Sequence, residues 1–507
     1  MNTEMKTYIK LAGILTLVSV LASCKKYIAY NPHDSYQVTA LDYLKSASDY
    51  QTMEISVYTP LQWINQVVPI GDIASDNAVS GGESASDVLD LQQIDDYTLT
   101  PVNGTLANIW QYSYEGVNRA NYLIQYKNTN PGGQSVNFAG KESLYGEIYF
   151  LRAYYYFTLT KMFGDVPLFT DKRLDLSNSG TLKRAPRASV YQQIETDLKN
   201  AMAVLPISQA EQGRITKYAA ASLLGKVYLY QNKFDSAANV LQEVISSNTY
   251  SLVSDYSSIW LPSGENGPES VFEIQYTNAS PYYQWSNELQ GQGNYAIQQC
   301  GIRGLNGTAE MPYAPGWSTN LPTQDLAAAY SAGDQRKDVT VLDIEAYKAA
   351  NPSFNITYQV APYKNTGLYN QKYLPRKGQT SGQPELNYSN NFRIIRYADV
   401  LLMAAEALNK SATPNDGLAQ NYLNMVRRRA FGDQLHDVTA TGSSLYTAIL
   451  LERRLELGME GDRFFDLVRT GQAASVLGPK FKTGKNELFP IPQQEITVSG
   501  LTQNPGY

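Results

Sequence analysis

The chain has almost no cysteine and almost no histidine, two of each in 507 residues. Cys24 and Cys300 supply neither a disulfide framework nor a thiolate zinc site. With only His33 and His436, a Ser-His-Asp triad or a multi-histidine metal site is all but excluded. Charge is sparse as well: charged residues make up 17% of the chain, the net charge is −6, and no long basic run occurs, so nothing points to nucleic acid. No apolar run reaches the ~20 residues that a membrane-spanning helix needs.

What is present begins at the first cysteine. Lys6 and Lys10 precede the uncharged, mostly apolar segment Leu11 to Ala22, which suits the core of a secretory signal. "LASC" then resembles a bacterial lipobox, which predicts a signal peptide over residues 1–23 and lipidation of Cys24. Each buried lipid CH₂ contributes ~0.8 kcal/mol, so a multiply acylated cysteine anchors a protein without a spanning helix. The residues after it, "CKKYIAY", carry two lysines and no acid until Asp34.

Beyond a polar tether (24–39), residues 40–249 read as helices. Ile109, Tyr112, Gly116, Ala120 and Leu123 share one stripe, and "ESLYGEIYFLRAYYYFTLTKMFG" is a long helix ended at Gly164. Ser189 is a plausible N-cap for the next helix. "ASLLGKVYLYQNKFDSAANVLQEVI" matches the tetratricopeptide hairpin pattern through Leu224, Gly225, Tyr228, Phe234, Ala237 and Leu241. There Gly225 and Ala237 allow close helix approach while Leu224, Tyr228 and Leu241 fill the seam. A lone hairpin cannot bury its face, so three to four degenerate repeats are expected to stack. Residues 250–391 are dense in Gly, Pro, Asn and Tyr, which predicts long, function-bearing loops with short strands such as "SVFEIQY". Helix resumes in 392–507, the C-terminal part. The fold class is therefore mostly α, with a mixed, loop-rich second part.

Four stretches carry a family resemblance: "AYYYFTLTKMFGDVPL", "RYADVLLMAAEALN", "ERRLELGMEGDRFFDLVR" and "LFPIPQQEI" with "LTQNPGY". With the lipobox, the chain resembles the SusD/RagB family of outer-membrane nutrient-binding lipoproteins almost end to end. The resemblance implies a scaffold of four tetratricopeptide-like hairpins and a loop-rich part bearing the ligand surface. It also implies a partner, a SusC-like TonB-dependent transporter, a location on the outer face of the outer membrane, and no catalysis or cofactor. A structural calcium occurs in some members, but no EF-hand spacing is present.

Sugars present C–H faces to aromatic rings and hydroxyl edges to amides and carboxylates, and 39 Tyr and 5 Trp with many Asn, Gln and Ser fit that chemistry. The candidate ligand residues are Tyr282, Tyr283, Trp285 and Asn287 in "SPYYQWSN", and Trp317, with Tyr313 and Asn320, in "PYAPGWSTN". Trp63 with Asp76 and Asn77 of "GDIASDNAVSGG" is the next candidate group, while Trp110 and Trp260 read as core. Glu452, Glu456 and Glu460 recur at i, i+4 and i+8 beside arginines and read as ion pairs rather than catalytic acids. Arg453 with Glu456, and Arg463 with Asp466, are spaced to pair along a helix. The competing readings are a peptide cargo, a surface glycoside hydrolase or esterase, and a tetratricopeptide scaffold that binds only protein.

Overall fold

The computed structural model describes residues 43–174, 182–285 and 291–507. Cys24 with its lipobox, His33 and Asn287 lie outside the described residues. The chain divides into two compact units, residues 1–52 with 126–139, and residues 53–125 with 140–507. In the described part of the first, Asn130 Nδ2 donates to Leu44 O (3.3 Å), Tyr50 Oη donates to Tyr126 O (3.0 Å), and the Tyr50 and Phe138 rings lie 5.3 Å apart.

About half of the described residues are helical, and the strands are few and short. Helices α1 (Ala47–Trp63) and α2 (Val67–Ile73) are followed by α3 (Gly104–Gln125), α4 (Lys141–Phe163), α5 (Arg187–Val204), α6 (Lys217–Leu229) and α7 (Phe234–Ser246). From α3 to α7 each helix packs on the next. The step after α7 skips about 150 residues of chain, because α7 packs directly on α8 (Tyr397–Lys410). α8 also packs on α9 (Asp416–Phe431) and α10 (Gly442–Glu456), and its residues Tyr397 to Asn409 are all buried. Two elements close the excursion at its base: Ser270–Ile274 pairs antiparallel with Phe392–Arg396, Ser270 opposite Arg396 and Ile274 opposite Phe392.

Local chemistry explains the helices. Thr216 caps α6 by accepting from the Ala219 N–H (3.2 Å), and Asn415 caps α9 by accepting from Leu418 (3.1 Å). Gly225 is needed where α6 meets α7, since a Cβ there would fall 2.5 Å from Leu241 Cδ2. Leu224, Tyr228, Ala237 and Leu241 are buried in that seam. Gly116 does the same between α3 and α4, where the Tyr155 ring occupies the space of a side chain. The cap of α5 differs from expectation. The helix starts at Arg187 after Pro186, whose fixed φ and missing N–H suit the boundary, and Ser189 falls inside it.

The ion pairs also differ from the local spacing. Arg453 pairs with Asp399 (2.7 Å) and Asp466 (2.9 Å), and Arg463 with Asp76 (2.7 Å). Neither takes the partner three residues along, because the buried side chains face other elements rather than their own helix surface. Glu452, Glu456 and Glu460 meet Arg336, Arg396, Arg427, Arg429 and Lys372 at 2.6–3.1 Å. These residues tie α10 and the turn after it to α9 and to the excursion.

The loop-rich stretch has its own core. Ile302, Leu305, Met311, Tyr313, Leu321, Leu342, Ile344, Ile356, Tyr369 and Leu374 cluster with their side chains buried. This packing orders a segment whose Gly and Pro content precludes long regular elements.

Candidate functional site

The site is built on a close crossing of two backbones. A Cβ added to Gly316 would lie 2.3 Å from the Gly301 Cα, so neither position tolerates a side chain. The crossing fixes the peptide on both sides of Trp317. Its N–H donates to Gln298 O (2.8 Å), and its carbonyl accepts from Arg303 Nε (3.2 Å). Ser318, buried and in the left-handed region at φ 55°, donates its N–H to Gly301 O (2.8 Å) and accepts the Arg303 N–H at its Oγ (2.9 Å). The indole of Trp317 thus projects from an immobilised backbone and is half-buried.

Trp285 stands opposite. Its side chain is 66% exposed, and its ring lies 5.9 Å from that of Trp317 with 38° between the planes. The loop leading to it is clamped by buried Asn387. Asn387 Oδ1 accepts from Tyr283 N (2.9 Å), and its Nδ2 donates to Tyr283 O (3.0 Å) and Gln383 O (2.9 Å). Tyr282 lies over Gly382, where a Cβ would fall 2.7 Å from the ring, and Tyr283 meets Tyr295 edge-on at 5.8 Å. Burial of its hydroxyl, with Tyr295 beside it, pushes the Tyr283 pKa well above the ordinary phenol value.

Trp63 sits where α1 ends and reaches the same loop: its Nε1 donates to Gly291 O (3.3 Å). The ring meets Tyr112 at 5.5 Å and carries the Arg119 guanidinium 5.1 Å from its centroid, so it is partly covered. The structure therefore brings Trp285 and Trp317 together, with Tyr282 and Tyr283 on the loop that leads to Trp285 and Trp63 at the end of α1 bonded to Gly291.

Asp76 and Asn77 are placed elsewhere. Asp76 is held by Arg463 (2.7 Å) and Arg454 (3.0 Å); burial pushes its pKa up, but these guanidinium groups, Arg463 first, hold it below the usual carboxylate range. Asn77 is fully buried and accepts from Arg454 Nε (2.9 Å). Their backbone carbonyls accept from Thr323, and Ala78–Val79 pairs with Leu321–Pro322. These two residues fasten the 73–87 loop down, while the far end of that loop meets Arg303, which bonds the Trp317 carbonyl. Asp87 Oδ2 accepts from Arg303 (2.6 Å) and from the Glu83 N–H (2.8 Å), and the Glu83 carboxylate lies 3.6 Å from the same guanidinium. Tyr313 belongs to the inner core, and Asn320, also buried, donates to Asp72 (3.0 Å).

Arg303, Asp87, Glu83 and Asn387, which hold the backbones of Trp317 and Tyr283 or pair with the residue that does, are not among the candidates named from the sequence. Nothing in their spacing marks them, because each reaches the site through chain reversals that only the packed loops define. Chemically the arrangement offers two flat apolar faces bordered by charged and amide groups. Among the described residues, no group of three or more His, Cys, Asp or Glu is arranged to hold a metal, and no helix is long and apolar enough to cross a membrane.

Comparison with known proteins gives a consistent result. A sequence model of the SusD family matches residues 268–486, and another, described as starch-binding associating with outer membrane, matches residues 35–229. A SusD-like protein of Formosa agariphila is 28% identical over 438 residues, 82% of this chain and 83% of that relative. Among solved structures, a laminarin-binding SusD-like protein aligns with a TM-score of 0.81 at 37% identity, over 91% of this chain and 100% of that one. Surface glycan-binding protein A from Bacteroides thetaiotaomicron, in complex with laminarihexaose, gives a TM-score of 0.79 at 29% identity, over 90% of this chain and 99% of that one.

Proposed function

This chain belongs to the SusD family, and from that premise we propose that it is a non-catalytic, lipid-anchored outer-membrane protein that binds a glycan and delivers it to a SusC-like TonB-dependent transporter. One observation carries the glycan reading: an indole 66% exposed stands 5.9 Å from a second indole whose backbone is fixed on both sides. Two neighbouring indoles, one of them largely exposed, offer flat apolar faces on which a sugar ring can stack. The 38° between the rings favours a chain that turns over one that lies as a flat ribbon, because each sugar face must meet its own ring. Laminarin, named for one structural neighbour, and laminarihexaose, bound to another, are the first ligands to try. Hydroxyls at the sugar edge meet acceptors on Glu83 and Asp87. Lipidation at Cys24 supplies the anchor, and the outward-facing location follows from the delivery role.

Stacking on an aromatic ring contributes ~1–3 kcal/mol per contact in the related case of bases, so Trp285→Ala or Trp317→Ala weakens binding about 5- to 150-fold. Isothermal calorimetry with laminarihexaose and a panel of other hexasaccharides measures this. If the parent binds and both variants match it within twofold, the platform is not the site. If no glycan binds while the protein still pulls down a transporter, the cargo is of another class.

A further inference from the structure

We propose that this platform selects uncharged sugar chains, with Glu83 and Asp87 turning anionic chains away; the inference rests on the glycan-binding reading above. Arg303 is the cation beside Trp317, and it is fully engaged. Its Nε bonds the Trp317 carbonyl (3.2 Å), one terminal nitrogen bonds Asp87 (2.6 Å), and the other lies 3.6 Å from Glu83. Asp87 balances its charge, and Glu83, with its side chain 73% exposed, adds a negative charge at the rim.

Of the other cations of these loops, Lys364 and Arg119 are paired with acids, while Lys377 and Arg376 have neutral partners. Lys364, beside the Tyr363 that bridges to Gly82, binds Asp95 (2.7 Å) and Asp96 (2.9 Å). Lys377 donates to the carbonyls of Thr308 (2.9 Å) and Ala309 (3.4 Å), and the Arg376 guanidinium lies 5.2 Å from the Tyr313 ring centroid. At Trp63, Arg119 pairs with Glu115 (2.8 Å). Near Tyr282, Gln383 donates to the Glu385 carboxylate, which adds a further acid on that flank. A uronate or sulfate laid across the two indoles therefore meets, beside Trp317, a guanidinium already shared by two carboxylates. Such repulsion discriminates between ligands more than it changes the affinity for the right one. It acts within the Debye length, ~30 Å at 0.01 M salt and ~8 Å at 0.15 M.

Affinity electrophoresis of the purified protein in gels containing laminarin, mannan, alginate or carrageenan gives the first readout, and calorimetry on matched neutral and uronic hexasaccharides gives the second. Retardation by neutral polymers only, and a uronic hexamer bound at least tenfold more weakly than the neutral one in low salt, is the expected result. Raising the salt should narrow that gap, and Glu83→Lys should shift the uronic-to-neutral affinity ratio at least fivefold toward the acid. An acidic chain held as tightly as a neutral one, or one whose binding weakens as salt rises, overturns the selection while leaving sugar binding intact. Absence of retardation in every gel removes the glycan-binding reading and this inference with it.

Discussion

Arg396 offers the sharpest test of what holds the scaffold together. It is 1% exposed and donates to Glu269 (2.6 Å), Glu456 (2.9 Å) and Glu460 (2.8 Å). The cluster around it balances five cations (Arg336, Lys372, Arg396, Arg427, Arg429) against five carboxylates (Glu269, Asp334, Glu452, Glu456, Glu460). Arg396→Met keeps most of the side-chain volume and leaves one carboxylate in excess where water does not reach. Breaking a buried pair from one side costs about 3–5 kcal/mol, a large share of a typical total stability of ~5–15 kcal/mol. Adding Glu460→Gln restores the charge balance, so the double variant should recover part of that loss. Urea unfolding followed by circular dichroism reads both: the midpoint falls in the single variant and rises again in the double, with little change of slope. A loss below about 1 kcal/mol in Arg396→Met, the scale of an exposed surface pair, would refute the claim that the network is structural.

Three further outcomes follow from the packing. Gly225→Val forces a branched side chain onto Leu241 and should destabilise by about 1–3 kcal/mol, read as a lower urea midpoint. Asn387→Ala frees the Tyr283 peptide from its clamp and should weaken glycan binding severalfold by calorimetry, although Trp285 and Trp317 are untouched. Glu54 is buried against the Glu147 carboxylate beside Arg214, and burial first, then that neighbour, lifts its pKa to about 8. Between the ordinary carboxylate range and that value the folded chain keeps a proton that the unfolded chain has lost. Stability should therefore fall with rising pH across this window by up to about 1.4 kcal/mol per unit, and Glu54→Gln should flatten the slope in melts taken from pH 5 to 8.

The helical half was legible because its signals are local. The Leu224 to Leu241 spacing contains the whole hairpin, and the contact that makes Gly225 necessary joins residues 16 apart in sequence. The excursion was legible only as texture. Its core joins Ile302 to Leu374 through short segments, and no periodicity announces such a cluster. Trp285 and Trp317 stood out because tryptophan in Pro/Gly loops lacks the usual packing reason. Their mutual approach, however, depends on the Gly301–Gly316 crossing and on Asn387, which sequence spacing does not encode. In the 73–87 loop the polar residues nearest Trp63 in sequence drew attention, yet Arg454 and Arg463 take Asp76 and Asn77, and it is Glu83 and Asp87 that reach Arg303, the residue bonded to the Trp317 carbonyl.

The same geometry bears on why the many acids here argue for binding rather than hydrolysis. A glycosidase needs two carboxyl groups flanking an open cleft, about 5–9.5 Å apart, one of them free to give a proton. Glu452, Glu456 and Glu460 have the density that chemistry requires, but buried guanidinium and ammonium groups surround them and no sugar reaches them. The acids linked to Trp317 through Arg303, Glu83 and Asp87, converge on that single guanidinium instead of flanking opposite faces of a bond. On the proposed reading they orient hydroxyls and repel anionic chains, while the rings take the sugar faces.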